Sequence, residues 1–204
     1  MNKRIVTIGR EYGSGGRIVG QKLAEDMGVP FYDKALLDRI AEESGFSKEL
    51  VEKAELKAKN SFIYTLATSL GGNGEAGIEG LSLNDRFFLA QVEVIREIVE
   101  EGPCVIVGRC ADYILKDQPQ VTNFFICADM KERIKRSVSD YGLSEKNAEH
   151  EIQKIDKARA NYYTYHTGQK WGDITNYHMT INSGSIDLAD IVKLMEEYLE
   201  LRTF

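Results

Sequence analysis

Short apolar runs alternate with amphipathic stretches along most of the chain. Residues 4–8, 104–107, 123–127 and 178–181 are compact and rich in β-branched and aromatic side chains, and each is bounded by turn or helix signals. They read as strands. Residues 18–27, 34–44, 85–101, 131–140, 145–165 and 188–201 instead carry their apolar positions at helical spacing. "VPFYD" at 29–33 is a candidate fifth strand. Apolar strands separated by helices predict an α/β sandwich around a mainly parallel sheet, because only strands covered on both faces lose the polar alternation of a half-exposed sheet.

Two stretches break this rhythm. Residues 34–86 are helical at both ends but contain "SLGGNGEAGIEGLS", whose glycines suggest a mobile connection. "EIQKIDKARANYYTYHTGQKWGDITNY" at 151–177 is polar, aromatic and longer than a crossover needs. Both read as insertions at one edge of the sheet, where lids and substrate-binding elements sit.

At 204 residues and 43% hydrophobic composition, the chain can bury a sizeable core as one unit. Lysine and arginine number 26 against 32 acids, a net charge of -6, with "KERIKR" at 131–136 the one short basic tract. That balance argues against nucleic acid as a partner and leaves room for a small anionic ligand in a locally basic cleft. Cys104, Cys110 and Cys127 stand alone in or beside apolar runs and read as buried reduced thiols. His150, His166 and His178 lack metal-ligand spacing, so no protein-bound metal centre is expected. No signal-peptide pattern and no apolar run of membrane-spanning length is found, and the expectation is a cytoplasmic protein without a membrane partner. Homo-oligomerisation stays open.

The most informative segment is "RIVTIGREYGSGGRIVGQKLAEDMG" at 4–28: a strand, a glycine-rich turn and a helix start. Gly13, Gly15 and Gly16, with Ser14 between them, let backbone amides turn inward, and the helix points its positive end at the same spot. Such a junction is an anion site, and phosphate is its commonest occupant. The strict GxxxxGK[ST] pattern is absent, and Ile18 stands where GxGxxG needs its third glycine. The cations at hand are Arg10 and Arg17. Ile18 and Val19 take the places of the usual magnesium-binding hydroxyl, which leaves Ser14 as the one substitute. The plainer alternative is a tight turn flanked by solvated arginines.

Four segments together resemble the cytidylate kinase-like family of P-loop proteins: "TIGREYGSGGRIVGQKLAEDMGVPFYDKALL", "VIVGRCADYIL", "FFICADMKERIKR" and "KIDKARANYYTYHTGQKWGDITNYHMTINS". The resemblance implies a three-layer α/β/α P-loop kinase-like fold. Its core would be residues 1–33, 87–140 and 176–204, with a nucleoside-monophosphate-binding insertion at 34–86 and a lid at 141–175. It also implies ATP as phosphoryl donor, Mg2+, and a nucleotide or other small-molecule acceptor. Arg10, Gly13, Ser14, Gly15, Gly16 and Arg17 would hold the donor phosphates. "DKALLDR" supplies Asp33 and Arg39 for the acceptor, with Lys34 and Ala35 replacing the family's hydroxyl residue and glycine. Arg109 matches the arginine of the family's GRD motif, whose acid is here Cys110, so that Asp112 is the nearest carboxylate. In the lid, Asp156 and Arg159 keep the aspartate-x-x-arginine spacing, while an expected arginine falls on Ile152, leaving Lys154 or Lys157 to supply its charge. Arg17, Arg159 and Asp156 are the catalytic candidates. An ungapped match through the first helix puts Gly16, rather than Arg17, at the lysine position.

The leading expectation is thus an ATP-dependent phosphotransferase of the nucleoside monophosphate kinase type. The missing lysine and hydroxyl keep open a nucleotide-binding regulatory module without transfer, and the altered acceptor motif keeps open a small-molecule kinase with a non-nucleotide acceptor. Tyr162, Tyr163, Tyr165 and His166 fit a lid packing face better than a base-stacking platform. Trp171 reads as an anchor for the lid's return.

Overall fold

The computed structural model describes residues 4–44 and 81–203. Most of the glycine-rich run at 69–82 therefore lies outside the described residues. The strands are β1 (Ile5–Arg10), β2 (Phe31–Tyr32), β3 (Cys104–Val107), β4 (Val121–Cys127) and β5 (Met179–Asn182). They form one sheet in the order β2-β3-β1-β4-β5, with every neighbouring pair parallel. The helices are α1 (Gly16–Met27), α2 (Lys34–Ser44), α3 (Leu83–Glu101), α4 (Ala111–Ile114), α5 (Met130–Tyr141), α6 (Ala148–Thr167) and α7 (Leu188–Leu201).

Alternation along the strands divides the core. Val6, Ile8, Val105, Val107, Phe124 and Ile126 face one side, where Val19 and Leu23 of α1 and Ile191, Val192 and Met195 of α7 cover them. Ile5, Cys104, Ile106 and Val121 face the other, under α2, α3 and α4. Both faces are buried, which explains why the strands read as continuous apolar runs.

β1 extends beyond its apolar stretch because Gly9 and Arg10 continue the ladder opposite Phe125 and Ile126. A side chain on Gly9 would strike the Phe125 ring at 2.7 Å, so the strand can pass there only as glycine. α4 is a single turn, too short to leave a periodic signature. α2, read as the start of an insertion, buries Leu36, Leu37 and Ile40 in the same cluster as α3. α3 begins at a cap in which the Ser82 side chain accepts from the Asp85 amide.

Candidate functional site

β1 lies between β3 and β4, and the chain leaves it in one direction toward β2 before returning to the far side at β4. This is the topological switch of the sheet, and a crevice opens at the carboxyl ends of strands on either side of such a point. Residues 11–15 cross that position and lead into α1, whose N-terminal cap Gly15 is left-handed at φ 82.

The carbonyls of this loop are held from outside. Arg133 Nε donates to Tyr12 O (2.8 Å), Arg136 Nη1 to Gly13 O (2.7 Å), Ser183 Oγ to Ser14 O (2.5 Å) and Arg159 Nη1 to Arg10 O (3.2 Å). Ser14 Oγ closes the turn by donating to Glu11 O at 2.9 Å. With the carbonyls drawn outward, the amides of Gly13, Gly15 and Arg17 have no acceptor among the described residues. Such a nest of inward amides at a helix N-terminus is complementary to an anion. Gly13, at φ 77, has no room for a side chain, since a Cβ would lie 2.6 Å from Arg133 O and from Ser137 Oγ.

Asp156 ties α6 to this loop. Its Oδ1 accepts from the Tyr12 amide at 2.8 Å and lies 3.4 Å from Arg159, and its Oδ2 pairs with Arg133. Arg133 also approaches Glu11 Oε2 at 3.4 Å, and that carboxylate accepts from the Ala128 amide. Burial raises the Asp156 pKa above the ordinary carboxylate value, with Arg133 opposing. Burial lowers that of Arg159, opposed by Asp156 and reinforced by Arg109. Arg109 and Arg159 are thus like charges within electrostatic reach of each other, a repulsion that a bound anion relieves. The backbone of Arg109 is left-handed at φ 61, and its carbonyl is held by Gln91 Nε2 at 2.8 Å.

Asp33, at the end of β2, is buried and bridges two cations: Oδ2 receives Arg17 Nε at 2.6 Å and Oδ1 lies 3.6 Å from Arg10 Nη2. Of the residues singled out in the sequence, the structure therefore gathers Arg10, Gly13, Ser14, Gly15, Gly16, Arg17, Asp33, Asp156 and Arg159 around the loop, with Arg109 beside Arg159. Two others are bonded elsewhere. Arg39 makes paired bonds to Glu101 and reaches Glu97, joining α2 to α3. Asp112 accepts from the Tyr163 hydroxyl at 2.6 Å and lines a cavity of about 260 Å³ with Asn123, Gln169 and His178. Burial raises its pKa.

Arg133, Arg136 and Ser183 were absent from the sequence candidates, although each bonds the loop backbone directly; for the two arginines a signal existed. Their signal is two arginines three apart on the helix after β4, one helical face, inside the single basic tract of an acidic chain. The aromatics of α6 and the segment after it pack: His166 stacks on Phe88 at 4.1 Å, and Trp171 meets the Phe125 ring edge-on at 5.5 Å.

For magnesium, the fit among the described residues is poor. The Ser14 hydroxyl is fully buried and committed to the loop, while Ile18 and Val19 offer no oxygen. The carboxylates of Glu11, Asp33 and Asp156 are already engaged by arginines or loop amides. No group of three or more histidine, cysteine or acidic side chains that could hold a metal ion occurs among the described residues, and none of their helices is long and apolar enough to cross a membrane.

No curated protein matches the chain in sequence. Among solved structures, an uncharacterized protein from Eubacterium ventriosum is similar over 98% of this chain and 100% of its own, at 30% identity and a TM-score of 0.74. A shikimate kinase from Bacteroides thetaiotaomicron shares the fold at 18% identity and a TM-score of 0.55, over 97% and 99% of the two chains. A shikimate kinase from Acinetobacter baumannii, solved in complex with shikimate, does so at 17% and 0.52, over 99% and 96%. These likenesses make the fold that of the P-loop kinases. The family model described as "Cytidylate kinase-like family" matches residues 5–185, from the first residue of β1 to just past β5, and so takes in the loop and every side chain that shapes it. The chain belongs to the cytidylate kinase-like family.

Proposed function

We infer that this protein is an ATP-dependent phosphotransferase whose acceptor is a nucleoside monophosphate. Family and fold support a phosphotransferase. The acceptor class is supported by one feature of the site: the carboxylates at the loop are all engaged. Both oxygens of Asp33 face arginines, both oxygens of Asp156 are bonded, and Glu11 is held by Ala128 and Arg133. A neutral hydroxyl acceptor needs a base to take its proton, whereas a monophosphate brings an oxygen that is already anionic. A site rich in arginine, with no carboxylate to spare at the loop among the described residues, suits the second.

Phosphoryl transfer asks mainly for positioning and for positive charge around the moving group. In this reading the loop amides and α1 hold the donor phosphates, Arg10 and Arg17 flank them, and Arg109 and Arg159 receive the acceptor phosphate and the charge developing between the two. Asp156 acts by positioning, since it fixes the loop, Arg133 and Arg159 together. Magnesium would arrive chelated by the nucleotide, and bound there it would neutralise phosphate charge.

The test is transfer from [γ-32P]ATP with magnesium to a panel of nucleoside monophosphates, cytidylate first, with shikimate and other small hydroxyl compounds as comparators. Labelled diphosphate is the expected product. Transfer to a hydroxyl compound alone would instead establish the small-molecule kinase reading that Lys34 and Ala35 keep open, and ATP binding without transfer to any compound would establish the regulatory one.

A further inference from the structure

The loop lacks the lysine that normally begins its helix, yet the space that lysine needs is filled. We propose that Arg10, the last residue of β1, replaces the P-loop lysine as the cation on the donor phosphates, and that Gly16 and Gly108 are glycine because its side chain passes over them. The inference rests on the kinase reading and specifies which side chain does the lysine's work.

The usual lysine extends from the first helical turn to reach the outer phosphates. Here the first helical residue is Gly16, and a Cβ on it would lie 2.6 Å from Arg10 Cβ, 3.3 Å from Arg10 Cγ and 3.2 Å from Ile126 Cβ. A lysine and Arg10 therefore cannot both occupy this lane. At the other end, a Cβ on Gly108 would overlap the Arg10 guanidinium. Gly108 is itself fixed, at φ 75 and with its amide bonded to Ile8 O at 2.9 Å. The arginine stem thus runs along the start of α1, and its head rests on the backbone at the end of β3, next to Asp33 at 3.6 Å.

Arg17, the cation that the sequence places directly after the glycines, is held differently. Its side chain is 47% exposed and meets Asp33 through Nε, while that of Arg10 is 17% exposed and confined along its length. A cation already fixed in place needs little reorganisation as charge develops, whereas an exposed one is screened and must be ordered first. Asp33 bridges the two and keeps both near the loop.

Two experiments separate this inference from the reading beneath it. In the first, ATP with magnesium and inorganic tripolyphosphate are titrated by calorimetry into wild type, Arg10→Ala, Arg17→Ala and the double variant Arg10→Gly/Gly16→Lys, in which no Cβ remains at position 10 to meet that of the lysine. The expected result is a loss of about ten- to hundredfold for Arg10→Ala, a smaller loss for Arg17→Ala, and recovery of most of the affinity in the double variant. A larger loss for Arg17→Ala, or no recovery in the double variant, overturns the inference while leaving a triphosphate site in place. A wild type that binds neither probe overturns the kinase reading, and the inference with it. In the second, melting temperatures of Gly16→Ala are compared in the wild-type and Arg10→Gly backgrounds without ligand. The added methyl should lower the melting temperature more where the arginine stem is present, since the Ile126 Cβ at 3.2 Å is common to both backgrounds. Equal shifts in both backgrounds would show that Arg10 does not fill the lane.

Discussion

His166 offers a perturbation whose size follows from its surroundings. It sits in the last turn of α6, stacked on Phe88 of α3 at 4.1 Å and 11° and edge-on to Tyr162 and Tyr165, and its buried Nε2 has no hydrogen-bond partner among the described residues. Burial pulls its pKa down to about 4, with Asp85 opposing. The unfolded chain then binds a proton near pH 6.5 that the folded protein refuses until about pH 4, so the contribution is complete above 6.5 and is lost as the pH falls between those values. At pH 4.5 the loss is about 2.5 kcal/mol, or a fall in melting temperature of roughly 5–10 °C for a chain of this length. His166→Phe keeps the stack and removes the titration, and at pH 7.5 it should lie within about 1.5 kcal/mol of wild type. The assay is thermal unfolding of both proteins by circular dichroism at pH 7.5 and 4.5. Other groups titrate in both and cancel, so the wild type should lose several degrees more than the variant. An equal loss in the two would refute the buried neutral imidazole.

Four further outcomes follow from the site and the core. Arg133→Met strands Asp156 without its nearest cation and should cost about 3–5 kcal/mol in denaturant unfolding, part of which Asp156→Asn restores in the same chain; a loss no larger than that of an exposed arginine would show that the clasp is ornamental. Gly13→Ala forces a methyl against Arg133 O in a left-handed turn, and should cost roughly 2 kcal/mol or more and weaken triphosphate binding; an alanine variant as stable as wild type would mean that the turn relaxes freely. Cys104, whose thiol is pushed up to about 12 by burial, and Cys110, also pushed up by burial, should resist alkylation at pH 8 until the protein unfolds, with the less buried Cys127 reacting first; peptide mass spectrometry reads the order, and early labelling of Cys104 would contradict it. Arg39→Ala should cost under about 1 kcal/mol and leave triphosphate and cytidylate affinity unchanged, because its carboxylate partners lie on α3; a specific loss of cytidylate binding would return Arg39 to the acceptor site.

The strands and long helices were legible because burial on both faces, or on one helical stripe, leaves a periodic trace in the residues themselves. α4 was not, since one turn has no period, and the true length of β1 was not, since Gly9 and Arg10 belong to the ladder without looking like strand. The glycine loop announced itself. Its supports did not: Arg133, Arg136 and Ser183 act on Tyr12, Gly13 and Ser14 across more than a hundred residues of sequence, and spacing carries no information about such a bond. Asp33 and Arg39 show the limit from the other side. Six positions apart in one motif, they are held by different partners, because the helical turn that carries Arg39 points it to Glu101 while Asp33 stays at the strand end.

The departures from the usual loop pattern become mutually consistent once they are placed in space. A lysine at the helix start would require a Cβ where the Arg10 stem lies, and a side chain at 108 would require room where its head lies. Losing the lysine and gaining glycine at these positions are therefore one change, not several. The same holds for the carbonyls. Each bond from Arg133, Arg136, Arg159 and Ser183 removes an acceptor from the inside of the turn, and those to Tyr12 O and Ser14 O leave the Gly13 and Gly15 amides of the same peptides facing inward. The charge that a standard loop concentrates on one lysine is here spread over neighbouring strands and helices, and three of these arginines, Arg133, Arg136 and Arg159, also bond the loop backbone. Such a site should be stiff, and its affinity for phosphate should depend on residues that never touch the ligand, Asp156 foremost. Asp156→Asn is the sharpest case: the side chain remains in place, but Arg133 and Arg159 lose their shared counter-charge. The melting temperature should fall as well, and triphosphate affinity reduced at a temperature where the variant is still fully folded would show that Asp156 sets the position of the cations in addition to stabilising the fold, whereas unchanged affinity there would refute it.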